Sequence, residues 1–150
     1  MYSNNLKRIR EEFELTQKEM AKILNVTRSA YSLWEINKNI IPLVKLNDFC
    51  NHFNLSMDYC LGISNDKKNN FTKITLDKRK IGKRIKQTRK ELNLTQEKLA
   101  KKFNTTHSAI SAYENGITMI PTIFLVELAR ISNKSIDYLC GRFSNALIKM

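Results

Sequence analysis

Glycine and proline are scarce in this chain of 150 residues, which contains four of the first and two of the second. That scarcity excludes a collagen-like or low-complexity chain. No apolar run approaches the roughly 18 residues that a membrane span requires, and the first residues lack the apolar segment of a secretory signal. We therefore expect a cytoplasmic protein with no membrane partner.

Cysteine and histidine are equally few. The three cysteines, Cys50, Cys60 and Cys140, show no CxxC spacing, which excludes a disulfide framework and the common zinc motifs. We expect them to be buried, reduced thiols. His52 and His107 stand apart from other metal ligands, so neither a metal nor another cofactor is expected. The sequence contains no nucleophile elbow, P-loop or HExxH motif, and we expect no catalytic residues and no enzyme activity.

The sequence repeats itself after 79 positions, since LTQKEMAK at residues 15–22 returns as LTQEKLAK at residues 94–101. Held without a gap from Leu6 to Gly62, that offset aligns 57 positions and leaves 22 of them identical. The chain therefore consists of two copies of one small domain. We predict a first domain at residues 1–62, a short polar linker at 63–76, a second domain at 77–142 and a C-terminal tail at 143–150.

Each copy is predicted to contain five helices and no strand, which makes the fold all-α. Leu6, Ile9 and Phe13 are spaced as the apolar stripe of a first helix. Asn25 and Asn104 are expected to end the second helix in the left-handed conformation, which asparagine tolerates. The later helices are predicted to start at hydroxyl caps or at a proline in the first turn. These positions are Thr16, Thr27, Pro42 and Ser56 in copy one, and Thr95, Thr106, Pro121 and Ser135 in copy two.

The third helix of each copy divides into two faces when it is projected at about 100° per residue. Tyr31 and Trp34 in copy one, and Ile110 and Tyr113 in copy two, fall on an inward, apolar side. The outward side carries Thr27, Arg28, Ser29, Ser32 and Leu33 in copy one, and Thr106, His107, Ser108, Ser111 and Ala112 in copy two. Guanidinium, hydroxyl and small apolar groups on an exposed helix suit base edges in the major groove of double-stranded DNA. We predict that the outward side chains read bases.

The stretch from Leu-Thr-Gln to Glu35, and its repeat ending in Glu114-Asn-Gly, resembles the helix-turn-helix of the lambda-repressor and Cro type, the XRE family. The resemblance spans about residues 4–62 and 81–141. It implies two tandem five-helix DNA-binding domains that place the third helix in the major groove. Two departures concern glycine. The family favours it in the turn that here holds asparagine, and after the third helix copy two has Gly116 where copy one has Asn37.

The resemblance also implies roles for residues around the third helix. Gln17 and Gln96 are expected to contact a phosphate and to brace that helix. Two structural ion pairs are implied, Arg10–Glu35 and Arg89–Glu114. The segment after the third helix is expected to grip the DNA backbone through Asn37, Lys38 and Asn39 in copy one, and through Asn115, Gly116 and Thr118 in copy two.

Positive charge is in excess, with 26 Lys and Arg against 14 Asp and Glu and a net charge of +12. Residues 1–62 carry a net charge of +1, whereas residues 79–150 carry +9. Seven cations fall on the first helix of copy two: Arg79, Lys80, Lys83, Arg84, Lys86, Arg89 and Lys90. Such an excess favours a polyanion as partner. We predict that Lys83 and Lys86 bind DNA phosphates.

The sequence thus predicts a transcriptional regulator that acts as a repressor. We expect it to be of bacterial, phage or mobile-element origin and to be associated with the nucleoid. Two binding modes remain open. One chain can fill two half-sites as a pseudo-dimer, or a homodimer can form in which one copy supplies the interface. An alternative from another class is a protein-binding role, as an antitoxin or an inhibitor of a host defence enzyme, with DNA binding secondary or autoregulatory. The near-neutral copy one leaves room for such a protein partner.

Overall fold

The computed structural model describes residues 3–67 and 73–142. The chain forms two compact domains, and the boundary between them falls between Lys73 and Ile74. Within the described ranges all regular secondary structure is helical, so the predicted all-α class is confirmed. The predicted C-terminal tail at 143–150 lies outside the described residues.

Each domain contains five helices. The first domain is built from α1 (Leu6–Glu12), α2 (Gln17–Ile23), α3 (Arg28–Glu35), α4 (Leu43–Phe53) and α5 (Met57–Cys60). The second is built from α6 (Lys78–Glu91), α7 (Gln96–Lys102), α8 (His107–Glu114), α9 (Thr122–Ser132) and α10 (Ile136–Leu139). The order and spacing of the helices are the same in both domains, as the repeat predicts.

Hydroxyl caps start the helices on which the site depends. The Thr16 side chain accepts a hydrogen bond from the amide of Glu19, and Thr27 accepts one from the amide of Ala30, each at 3.1 Å. The repeat supplies the same caps at Thr95 and Thr106. A hydroxyl at this position satisfies an amide that has no partner inside the helix. The predicted caps are therefore confirmed.

The prolines lie one residue earlier than the sequence predicts. Pro42 and Pro121 occupy the capping position, and α4 and α9 begin at the residues that follow them. The difference is small, because proline has no amide hydrogen to leave unsatisfied at either position. Both prolines still mark where the fourth helix of each domain starts.

The turn between the second and third helices reverses at asparagine. Asn25 has φ 56° and Asn104 has φ 55°, so both adopt the left-handed conformation that was predicted for them. Asn37, with φ 57°, and Gly116, with φ 70°, adopt the same conformation after α3 and α8. Asparagine therefore takes the backbone role of glycine at three of these four positions.

Phe13 departs from the predicted apolar stripe. Leu6 and Ile9 are fully buried, but α1 ends at Glu12 and leaves Phe13 52% exposed. The Phe13 ring instead packs against the ring of Phe53, with 4.5 Å between their centroids. The inference of a continuous stripe was wrong because the helix stops one residue before the last apolar position.

Residues 63–67, which the sequence assigns to the linker, pack on the first domain. The amides of Ile63 and Ser64 donate to the carbonyl of Asp58, at 2.8 and 3.2 Å. The Ser56 hydroxyl donates to the carbonyl of Asp66 at 2.8 Å, and its amide donates to that of Lys67. These bonds fasten the chain across the start of α5.

Candidate nucleic-acid interface

The outward face of α3 is available to a ligand over its first turn. Thr27, Arg28 and Ser29 are exposed, and Ser32 and Leu33 are half-buried. The Ser32 hydroxyl donates to the carbonyl of Ser29 at 2.9 Å, a bond inside the helix that occupies its hydrogen. The exposed polar groups are thus densest at the N-terminal end of α3, which is the end that enters the major groove in helix-turn-helix proteins.

The outward face of α8 follows the same plan. Thr106, His107 and Ser108 are exposed, while Ser111 and Ala112 are half-buried. The Ser111 hydroxyl accepts a hydrogen bond from the Asn115 side chain at 3.2 Å. The structure therefore brings the predicted base-reading residues together on one face in each domain. We call α3 and α8 the reading helices.

The inward faces of the reading helices hold them to the core. Tyr31 and Trp34 are buried and meet edge to face, with 6.0 Å between ring centroids. Ile110 and Tyr113 are buried at the equivalent positions of α8. These aromatic rings belong to the core, and none of the four side chains is available for stacking on a base.

Three side chains brace each reading helix. In the first domain, Nε of Arg10 donates to Oε2 of Glu35 at 2.7 Å, and Nε2 of Gln17 donates to Oε1 of the same carboxylate at 3.0 Å. A second guanidinium nitrogen of Arg10 donates to the carbonyl of Leu15 at 2.7 Å. These bonds join α1, the start of α2 and the end of α3. We call Arg10, Gln17 and Glu35 a bracing triad.

The second domain repeats the bracing triad with Arg89, Gln96 and Glu114. Arg89 Nε donates to Oε2 of Glu114 at 2.6 Å, and Gln96 Nε2 donates to Oε1 at 3.0 Å. Arg89 also donates to the carbonyl of Leu94 at 2.8 Å. Both ion pairs implied by the resemblance are thus present in the structure, and both glutamines contact the pair.

The electrostatics of the first triad favour its charged form. Burial would raise the pKa of Glu35, but hydrogen bonding, first of all from Arg10, outweighs burial and holds this pKa below its usual range. The hydrogen bond to Glu35 in turn raises the pKa of Arg10. Burial, together with the neighbouring carboxylate, also raises the pKa of Tyr31. The ion pair therefore persists at neutral pH.

The chain that leaves α3 is held by Asn4, a residue that the sequence did not single out. Its side-chain amide donates to the carbonyl of Trp34 at 2.9 Å and to Oδ1 of Asn37 at 2.8 Å. Lys38 and Asn39, which follow, are exposed. Nothing in the sequence near Asn4 signals this contact, because its partners lie about thirty residues away.

The second domain fixes the same segment with glycine. A Cβ at Gly116 would lie 2.9 Å from the Cα of Arg79, so the close approach of α6 requires a residue without a side chain. Asn115 and Thr118 are exposed on either side of it. The predicted phosphate-binding residues after α8 are therefore at the surface, apart from the partly covered Gly116.

Lys83 and Lys86 are exposed on α6, outside the side of this helix that packs against α8. The packed side of α6 includes Gly82 and Ile85, and a Cβ at Gly82 would lie 2.5 Å from the carbonyl oxygens of Tyr113 and Glu114. The two lysines lie outside that packed side. Their role in phosphate binding stays a prediction.

Two of the eight cations of α6 are used inside the domain. Arg89 belongs to the bracing triad, and Arg84 donates to the carbonyl of Tyr138 while its guanidinium lies 4.2 Å from the centre of that ring. Arg8 and Tyr59 make a similar contact in the first domain, where the hydrogen bond between them is 3.1 Å. The charge that α6 offers to solvent is therefore smaller than its composition suggests.

Among the described residues, every helix is too short or too polar to cross a lipid bilayer. Across the same ranges, no group of three or more His, Cys, Asp and Glu side chains is placed to hold a metal ion.

Two domains that each present a capped, braced helix with an exposed polar face define a tandem helix-turn-helix protein. Comparison of the sequence with protein families gives the same result, because the helix-turn-helix family matches residues 6–60 and again residues 85–139. The chain belongs to the helix-turn-helix family of the XRE type, in two copies. The resemblance to lambda repressor and Cro is thereby confirmed.

The chain is similar to three regulators of Bacillus subtilis (strain 168). It is 40% identical over 68 residues to the uncharacterized HTH-type transcriptional regulator YqaE, which is 45% of this chain and 59% of that protein. It is 30% identical over 66 residues to the uncharacterized HTH-type regulator YobD, covering 44% and 59%. It is 36% identical over 62 residues to the HTH-type transcriptional regulator ImmR, covering 41% and 49%. The chain thus spans about 49% to 59% of the length of these relatives.

A solved structure, the SinR protein/SinI protein complex, is similar over a smaller part of the fold. The match is 35% identical and covers 39% of this chain and 58% of that one, with a TM-score of 0.35.

Proposed function

We propose that the protein is a transcriptional repressor. It binds specific sequences of double-stranded DNA and places α3 and α8 in the major groove. The observation that carries this proposal is the repeated bracing triad. The triad of Arg10, Gln17 and Glu35 fixes the position of α3, a helix whose exposed side does not pack against the rest of the domain. A fold that fixes a polar surface this firmly, twice, supports recognition of a rigid and repetitive partner.

The exposed groups suit base edges. Arg28 lies in the first turn of α3, where its guanidinium can bond both acceptors of a guanine. His107 holds the same place on α8, and its ring can exchange one hydrogen bond with a base. Leu33 and Ala112 offer apolar surface to a thymine methyl group. The two domains are therefore proposed to prefer different half-sites.

Phosphate contacts fall to exposed polar groups beside the reading helices. Lys38 and Asn39 follow α3, and Thr118 follows α8 at the surface. Gln17 and Gln96 sit at the first turn of α2 and α7, and each retains a side-chain oxygen and one amide hydrogen beyond its bond to glutamate. Lys83 and Lys86 add charge on the more basic domain.

The tether between the domains bears on how one chain occupies DNA. Since residues 63–67 pack on the first domain, the connection to Ile74 has seven residue steps, which reach about 25 Å when fully extended. Half-sites on one face of DNA lie about 34 Å apart between centres. The single-chain pseudo-dimer therefore requires attachment points of the tether that are closer together than the half-site centres. The homodimer is the competing arrangement.

Selection of bound sequences from a random DNA pool tests the proposal. We expect an enriched motif with two unlike halves, together with affinity that falls steeply with salt, by a slope of about −0.9 for each phosphate neutralised. A footprint of one half-site for each chain would contradict the pseudo-dimer. Binding that is equally weak for every sequence at low salt would contradict sequence-specific recognition.

A second function, protein binding as an antitoxin or an inhibitor of a host enzyme, is supported by the low net charge of the first domain. That domain has a net charge of +1 over residues 1–62 and exposes Phe13, Ile36 and Val44 by 52%, 61% and 46%. Single exposed apolar side chains are normal, and the second domain also exposes Ile117 by 69%, so the low charge is what distinguishes the first domain. Co-purification of a stoichiometric protein, with feeble DNA affinity at all salt concentrations, would favour this function over the first.

The proposal assigns the protein a binding role in the cytoplasm at the nucleoid, without a cofactor and without catalysis. Its observable consequence is that the purified chain binds its DNA site with no added small molecule. A requirement for a metal ion or an organic ligand would contradict this part of the proposal.

A further inference from the structure

Cys50 and Cys60 form a buried pair of thiols between α4 and α5. Their Sγ atoms are 3.3 Å apart, and both side chains are fully buried. A disulfide bond measures about 2.05 Å, so an approach of roughly 1.3 Å would join the two sulfur atoms. The third cysteine, Cys140, is also buried, but in the second domain.

The repeat shows that the fold does not require this pair. Ala129 and Leu139 stand at the equivalent positions of the second domain, on α9 and α10, where they are likewise buried. The same helix contact is therefore filled by ordinary apolar side chains in one copy and by two adjacent thiols in the other. Cys140 aligns with Leu61, so the second domain has no counterpart of the pair.

We propose that Cys50 and Cys60 are an oxidative modification site that closes to a reversible disulfide in the presence of hydrogen peroxide. The thiolate of one cysteine attacks a peroxide oxygen, the O–O bond breaks, and a sulfenic acid and one water form. The second thiol then attacks the sulfenic sulfur, the S–S bond forms, and a second water leaves. Two thiols thus lose two hydrogens and two electrons, and one peroxide becomes two waters.

Access to the pair depends on α5. This helix is a single turn, Met57–Cys60, and Cys60 is its last residue. Gly62, two residues further on, is exposed. All four residues of α5 are buried, so a small oxidant reaches the thiols when this one-turn helix opens locally, which takes less free energy than unfolding of the whole domain. The adjacent Sγ atoms then favour closure over further oxidation.

The disulfide would reach beyond the two helices that it joins. The amide of Asn5 donates to the carbonyl of Cys60 at 2.9 Å, and the Asn5 side chain donates to the carbonyl of Tyr59 at 2.8 Å. Oxidation therefore ties α4 to the segment that anchors the beginning of α1. The first domain becomes cross-linked in its oxidised form, and the second domain does not.

Peptide mass mapping of the full-length protein tests the proposal. The tryptic peptide 46–67 contains both cysteines, because no lysine or arginine lies between Lys45 and Lys67. After treatment with hydrogen peroxide and alkylation without reductant, we expect this peptide to lose about 2 Da and to escape alkylation, and dithiothreitol to reverse both changes. Oxidation of Met57 in the same peptide adds about 16 Da and is distinguishable.

The repeat supplies matched variants. Cys50→Ala and Cys60→Leu, which introduce the residues of the second domain, should abolish the loss of 2 Da, whereas Cys140→Leu should retain it. Formation of disulfide-linked chains through Cys140, sulfinic acid on a single cysteine, or two thiols that stay reduced until the protein unfolds would each overturn the proposal. The Cys140→Leu protein and the wild type decide the matter even if one of the other variants fails to fold.

Discussion

Arg28 and His107 occupy the same position in the two reading helices, and the chemistry that they offer differs. Both lie in the first helical turn, directly after a threonine cap, and both are exposed. A guanidinium presents a fixed fork of donors, while a neutral imidazole presents one donor and one acceptor. The first domain is therefore the better candidate for strict discrimination between bases.

Replacement of Arg28 tests that assignment. Arg28→Ala should cost about 1–3 kcal/mol of binding free energy on the preferred sequence and should relax discrimination at one position of the site. Fluorescence anisotropy on preferred and scrambled duplexes measures both effects. Lys18→Ala is a suitable control, because Lys18 is an exposed cation of the same domain outside the reading face. Equal losses on both duplexes would assign Arg28 to the phosphates instead.

Glu35 illustrates a residue whose charge matters through its neighbours. Its side chain is 1% exposed and accepts hydrogen bonds from Arg10 and Gln17. Because its pKa is held below the usual range in the folded state, it stabilises the fold above the usual carboxyl pKa of about 4.3. That contribution is lost as the pH falls through the folded-state pKa.

The lowered pKa of Glu35 predicts how the stability of a Glu35→Gln variant depends on pH. At about pH 7 the variant should lose about 3–5 kcal/mol of unfolding free energy, because Arg10 stays buried without its carboxylate. The difference from the wild type should shrink as the pH falls below the usual carboxyl pKa and through the lowered folded-state pKa of Glu35, where the wild-type carboxyl also becomes neutral. Urea unfolding at several pH values measures the gap, and exposed Glu12→Gln is the control. A gap that is constant with pH would contradict the assigned role.

At the scale of elements, α6 and α1 differ although the repeat aligns them. α6 has 14 residues and α1 has seven, and the added turns begin at Asp77, whose side chain accepts from the amide of Arg79 at 2.9 Å. The added turns bring Gly82 against the end of α8. The second domain thus holds its reading helix by close backbone packing, where the first uses the side chain of Asn4.

The Gly82→Ala substitution tests this packing. In an exposed helix, alanine in place of glycine stabilises by up to about 1 kcal/mol. Here the added methyl group would lie 2.5 Å from two carbonyl oxygens, so we expect the sign to reverse and a destabilisation of about 1–3 kcal/mol. Denaturant unfolding measures the change, with the exposed Lys83→Ala on the same helix as the reference. An increase in the free energy of unfolding would contradict this prediction, because it would show that α6 can move away from the end of α8 without destabilising the domain.

Sequence reasoning succeeded at this scale where the signal is local. The cap at Thr27 and the left-handed turn at Asn25 were predicted from neighbouring residues alone. A threonine just before a helix commonly caps it, and an asparagine just after a helix commonly adopts the left-handed conformation. The contacts of Asn4, Gly82 and residues 63–67 were not predictable. Asn4 and Gly82 meet backbone carbonyls about thirty residues away, and residues 63–67 bond mostly to nearby backbone groups; a backbone carbonyl leaves no mark on the sequence.

At the scale of the whole molecule, positive charge is distributed unevenly between the two domains, and this predicts different roles for them in DNA binding. Residues 79–150 carry +9 and residues 1–62 carry +1, so most non-specific attraction to DNA should come from the second domain. The first domain carries the arginine in its reading helix. We expect the second domain to hold the DNA backbone, while the first supplies more of the sequence preference.

Paired lysines test this division. Lys86 and Lys7 are equivalent in the repeat and both are exposed. Lys86→Ala should weaken binding to all sequences alike and lower the salt slope by about 1, and Lys83→Ala should do the same. Lys7→Ala should change neither, since Lys7 lies 3.9 Å from the carboxylate of Glu11. Binding measured at several salt concentrations gives the slopes, and equal effects of Lys7 and Lys86 would contradict an uneven division.

The two bracing triads have a consequence for operator polarity. The triads Arg10–Gln17–Glu35 and Arg89–Gln96–Glu114 hold α3 and α8 by the same hydrogen bonds. The exposed side chains of one helix can therefore be exchanged with those of the other without changing how either helix is held. Exchanging Arg28 with His107, and Leu33 with Ala112, would transpose the two recognition surfaces along the chain. A protein with this exchange should favour the two half-sites in the reverse order, so that an asymmetric operator is read from its opposite end.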